Sequence, residues 1–143
     1  MRTAICLVLA VITTPAQAVT GFCQDLRFMV RWTAHDPSQG SGGDLRLPDR
    51  PAVFRQCRAN IQGFTNERTC IVPLDSGLPT VESLALETTR CLPGAERMDS
   101  PGASARGEIL LLFRSLAIRI GQEPSPSGTS GRQARIIVAV PEG

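Results

Sequence analysis

Apolar and polar positions alternate along residues 22–33, F-C-Q-D-L-R-F-M-V-R-W-T. Phe22, Leu26, Phe28, Val30 and Trp32 fall on even positions, while Asp25, Arg27 and Arg31 fall on odd ones. A period of two favours a strand with one buried face. Phe22, Leu26, Met29, Val30 and Thr33 also repeat at three and four, so a helix competes with the strand. Under either assignment Phe28 and Trp32 belong to the core.

A second strand is expected from about Ala52 to Ile61, with Val53, Cys57, Ala59 and Ile61 on one side and Gln56, Arg58 and Asn60 on the other. Residues Gly63 to Glu67 turn the chain and Thr69 to Leu74 return it. The clearest helix follows Ser76-Gly77. Pro79 sits in its first turn, and Val81, Leu84, Ala85, Thr88, Cys91 and Leu92 repeat at three and four. Pro93-Gly94 stop it, because the residue before a proline is pushed out of the α region. Glu82 and Glu87 are placed on the flank away from the apolar stripe.

Residues 96–107 read as a loop. The run 108–121, E-I-L-L-L-F-R-S-L-A-I-R-I-G, fits a helix through Ile109, Leu112, Phe113, Leu116, Ala117 and Ile120, with Ser104 as its candidate cap. It also fits a strand through Leu110, Leu112, Leu116, Ile118 and Ile120. The β-branched run R-Q-A-R-I-I-V-A-V-P, reached through the Pro/Ser/Gly-rich residues 122–131, favours the strand and a C-terminal hairpin. These elements predict an α+β fold: a small single domain with one main helix packed on an antiparallel sheet.

The N-terminus changes the picture of location. Arg2, an apolar run from Ala4 to Ile12 and a closing Ala16-Gln17-Ala18 have the layout of a secretory signal peptide over residues 1–18. The remaining domain is then 19–143, starting at Val19. Phe22 before Cys23 stands where a lipid-anchoring signal needs a small residue, so a lipid anchor is set aside.

With Cys6 removed in the leader, four cysteines remain: Cys23, Cys57, Cys70 and Cys91. An even count in an exported chain predicts two disulfides, since that compartment is oxidising. Four cysteines allow three pairings. The hairpin favours Cys57–Cys70 and leaves Cys23–Cys91, with Cys70 as the alternative partner of Cys91. No two of the four are closer than thirteen positions and His35 is the lone histidine, so no zinc site is expected.

All fifteen cationic residues are arginine, against thirteen Asp plus Glu. The lack of lysine beside abundant Arg, Ala, Gly and Pro fits a GC-rich bacterial genome and removes lysine-dependent chemistry. The near-neutral balance argues against nucleic-acid binding. No P-loop, hydrolase elbow or paired-histidine metal motif is present. No catalytic residue and no cofactor is therefore assigned.

Two candidate binding features remain, beside the loop expected at residues 122–131. One is the loop at residues 35–44, with His35, Asp36 and Asp44. The other is an anion patch of Arg46, Arg50, Arg55 and Arg58. The sequence predicts a periplasmic or secreted, non-enzymatic binding protein of the inhibitor, immunity or envelope-accessory kind, its partner a protein or envelope component. A small secreted hydrolase using an Asp/Glu pair and a structural envelope subunit are the alternatives.

Overall fold

The computed structural model describes residues 15–35, 53–62, 65–75, 77–124 and 131–141. Helix α1 spans Pro15–His35, followed by strands β1 (Arg55–Gln62) and β2 (Thr65–Pro73) and helix α2 (Val81–Cys91). The chain continues through β3 (Glu96–Met98), α3 (Pro101–Ala105), β4 (Glu108–Phe113), β5 (Leu116–Glu123) and β6 (Gln133–Ala139). The six strands form one antiparallel sheet in the order β1-β2-β6-β5-β4-β3. The α+β class, the main helix on an antiparallel sheet, the C-terminal hairpin and both disulfides agree with the sequence-based expectation.

Alternation on β4, β5 and β6 sends Ile109, Leu111, Phe113, Leu116, Ile118, Ile120, Ala134, Ile136 and Val138 to the same face. Cys70 and Val72 join them from β2, and α1 and α2 cover this face with Phe22, Leu26, Met29 and Leu84. The opposite face carries Arg119 with Glu67 at 3.0 Å and Arg135 paired with Glu123.

Residues 22–33 are helical, which corrects the favoured strand. Phe22, Leu26, Met29, Val30 and Thr33 are the buried set, at the helical spacing, whereas Phe28 and Trp32 are half-buried. Gln24, Leu26, Arg27, Met29 and Arg31 lose little rotamer freedom in a helix, and the segment holds just two β-branched residues, Val30 and Thr33. The helix is also what this sheet needs, since one face of a sheet must be covered. The expected cut between Ala18 and Val19 falls at the end of the first turn of α1.

Helix α2 starts later than expected. Thr80 is its N-cap: the Thr80 hydroxyl accepts from the Ser83 N–H at 3.0 Å, and the Ser83 hydroxyl accepts from the Thr80 N–H at 3.0 Å. Pro79 therefore lies outside the helix. At the other end the Leu92 N–H reaches the Thr88 carbonyl at 3.0 Å, and Gly94 takes a φ of 95°, the left-handed conformation in which glycine costs least. Glu87 is buried at 7% exposure, contrary to its placement on a solvent flank.

The run 108–121 is neither one strand nor a helix. It folds back at Arg114-Ser115, so that Phe113 pairs with Leu116 and Ile109 with Ile120. The two-residue turn explains the mixed periodicity: the buried positions are odd before it and even after it. Within the expected loop at 96–107 lie β3 and α3; α3 is capped by Ser100, and Ser104, the candidate cap of a helix over 108–121, lies inside it.

Both disulfides pair as preferred. Cys57–Cys70 joins β1 to β2 at a bulge, where the register slips between Arg55 and Arg58 and Gln56 has a φ of 49°. Cys23–Cys91 joins α1 to the last turn of α2 across a Cα separation of 5.2 Å.

Candidate functional site

Helix α1 exposes a second stripe, Gln24, Arg27 and Arg31, at spacings of three and four. Opposite this stripe stand the end of α2, with Cys91, Leu92 and Pro93, and the β4–β5 turn, with Phe113 and Arg114. Together with Val30 these residues line an open cleft of about 580 Å³. The Cys23–Cys91 bridge fixes the distance between two of the walls. Buried Asp25 fixes the same helix against the start of β1, its carboxylate accepting from the Val53 N–H at 2.8 Å and the Phe54 N–H at 3.0 Å.

The floor and the rim differ in chemistry. Val30, Leu92 and Phe113 are core residues that surface at the bottom. Arg27, Arg31 and Arg114 form the rim, and all three are exposed. Arg27 Nε donates to the Cys91 carbonyl at 3.3 Å, which places a cation at the carbonyl end of α2. The Arg114 guanidinium lies 5.0 Å from the centre of the Phe113 ring. Among the described residues, no carboxylate, histidine or hydroxyl lines this cleft.

Four described acids are held in ion pairs elsewhere. Glu82 pairs with Arg97, Glu123 with Arg135, Glu67 with Arg119, and Glu108 with Arg106 at 3.4 Å. A second hollow, of about 360 Å³, is lined by Glu82, Glu108 and Arg132, and a third, of about 320 Å³, by Arg97, Asp99 and Glu108. Both mix charges, whereas the 580 Å³ cleft has cations alone.

Behind the cleft, Glu87 presents its carboxylate 3.8 Å from Cys23 Sγ and 3.9 Å from Cys91 Sγ, and Arg90 Nη1 lies 3.5 Å from the second carboxylate oxygen. Cys23, Glu87 and Cys91 are close enough in space to share a cation. Metal coordination by cysteine needs the thiolate, however, and here the two sulfurs are bonded to each other. The oxidised group offers a cation one carboxylate.

Of the residues singled out from sequence, Cys23 and Cys91 brace the cleft and Cys57 and Cys70 pin the β1–β2 hairpin. His35 ends α1, but its side chain, Asp36, Asp44, Arg46 and Arg50 lie outside the described residues. Arg55 and Arg58 are exposed on β1, the sheet edge remote from β4, and do not line the cleft. Arg27, Arg31 and Arg114 were not anticipated as a group. Only the spacing of Gln24, Arg27 and Arg31 marks them in sequence, and it becomes visible once residues 22–33 are taken as a helix.

Comparison with protein-family models, with curated proteins and with solved structures returns no match.

Proposed function

We propose that this chain is an exported, non-enzymatic binding protein of the periplasm or secreted space, and that the arginine-rimmed cleft between α1, the end of α2 and the β4–β5 turn is its contact site. One observation carries this: three guanidiniums surround an apolar floor with no carboxylate among the described residues of the lining. Three cations on one rim make the local potential positive, which draws an arriving anion while its apolar neighbours cover the floor.

Export is supported by the signal-peptide layout of residues 1–18 and by the two disulfides, which persist in oxidising compartments. No described helix is long and apolar enough to cross a membrane. The partner is a protein or envelope component that presents an anionic group beside an apolar one.

Affinity capture from envelope and medium tests this, comparing the natural chain with an Arg31→Ala/Arg114→Ala variant. One dominant partner retained by the natural chain and lost by the variant is the expected result. Capture that ignores both substitutions would place the contact site elsewhere. Intact mass of the exported product should show an N-terminal Val19 and no alkylatable thiols.

A further inference from the structure

We infer that the cleft takes an amphiphile, an alkyl or acyl body ended by a single oxyanion of the phosphate or carboxylate type. This rests on the binding role proposed above and names the chemistry that fills the site.

The head follows from the rim. Guanidinium is planar and donates in parallel pairs, which matches the oxygens of a phosphate or carboxylate. Among the described residues Arg31 has no hydrogen-bonding or ionic partner, Arg114 contacts only the Phe113 ring, and Arg27 uses Nε alone. These donors remain for a ligand, and they come from both sides of the cleft, two from α1 and one from the β4–β5 turn.

The body follows from the floor. Val30, Leu92 and Phe113 are 7%, 4% and 7% exposed, so they are core side chains whose outer surface is the bottom of the cleft. A bare anion would bind the rim and leave this surface wet. An attached alkyl chain covers it, each methylene strengthening binding by less than the roughly fourfold of full burial because the cleft is open on one side. The cavity of about 580 Å³ lies within the roughly 300–1,000 Å³ typical of small-ligand pockets. The two smaller hollows carry carboxylates that would repel the same head.

Isothermal titration and native mass spectrometry on the disulfide-intact chain, with octyl phosphate, octanoate, octanol and inorganic phosphate, provide the test. One-to-one binding of octyl phosphate or octanoate is expected, with inorganic phosphate and octanol each weaker by about tenfold or more. The preferred head tells a phosphate-bearing source from a fatty acid. Arg31→Ala/Arg114→Ala should weaken the better ligand about a hundredfold, at roughly tenfold per lost charge-assisted contact. Arg135→Ala, on the other sheet face, should leave it unchanged. Both cleft arginines are exposed, and far-UV circular dichroism with a thiol count checks that the variant folds.

Inorganic phosphate binding as tightly as octyl phosphate would reduce the site to a charged patch and overturn the inference. Octanol binding as tightly would do so from the other side. If neither amphiphile binds but partner capture still depends on Arg31 and Arg114, the amphiphile is wrong and the binding role stands. If capture is insensitive as well, both fall.

Discussion

The two disulfides should differ in what they contribute, and the difference can be worked from the chain. Cys23–Cys91 spans a sequence separation of 68, against 13 for Cys57–Cys70. Closing those loops in the unfolded ensemble corresponds to about 4.4 and about 2.9 kcal/mol respectively at room temperature. Replacing Cys23 and Cys91 together should therefore cost the larger amount, a major part of the roughly 5–15 kcal/mol that holds a domain of this size.

The replacement also matters, because Glu87 sits against both sulfurs. Serine at both positions supplies hydroxyls that can donate to the carboxylate. Alanine leaves that buried acid with Arg90 alone and opens a void beside it. The Ala/Ala variant should therefore be less stable than Ser/Ser by about 1 kcal/mol. Urea unfolding followed by circular dichroism reads both differences, with the slope against denaturant checked because a freed chain exposes more surface. If removing Cys57–Cys70 costs as much as removing Cys23–Cys91, loop length does not set the contributions. Equal stability of Ser/Ser and Ala/Ala would deny Glu87 any gain from the serine hydroxyls.

Asp25→Ala should destabilise by about 2–4 kcal/mol, since it strips acceptors from two backbone N–H groups, that of buried Phe54 included, while Asp25→Asn should recover part of the loss; thermal unfolding checks both. Arg114 holds a φ of 55°, so Arg114→Gly should stabilise the β4–β5 turn by about 1 kcal/mol while weakening oxyanion binding, a split between calorimetry and titration. Glu87→Gln should speed reduction of Cys23–Cys91 by dithiothreitol severalfold, because a buried negative charge no longer repels the incoming thiolate; quenched mass spectrometry follows it, and an unchanged rate would rule out that repulsion. Leu111→Ala, at a fully buried position of the β4–β5 hairpin, should cost about 2–5 kcal/mol in the same unfolding assay.

The sequence by itself determined whatever rests on local chemistry. Pro93-Gly94 ended α2 because proline and the following glycine act on their own neighbours. The period-two apolar run of β6 marked a strand buried on one face. The hairpin expected around residues 63–67 put Cys57 and Cys70 on neighbouring strands, now β1 and β2, which left Cys23 for Cys91. The tertiary structure decided what local pattern leaves degenerate. Residues 22–33 satisfy two periods at once, and the sheet face awaiting cover selected the helix. The run 108–121 carries no glycine, proline or asparagine at its bend, so only the pairing of Phe113 with Leu116 reveals the turn at Arg114. Glu87 looked solvated by helical phase and became buried when the bridge drew α1 against it. The cleft is the extreme case: its residues come from positions 24–31, 91–93 and 113–114, and no spacing along the chain records that three exposed arginines share one apolar floor. That arrangement exists only after the staple and the sheet have folded distant segments together.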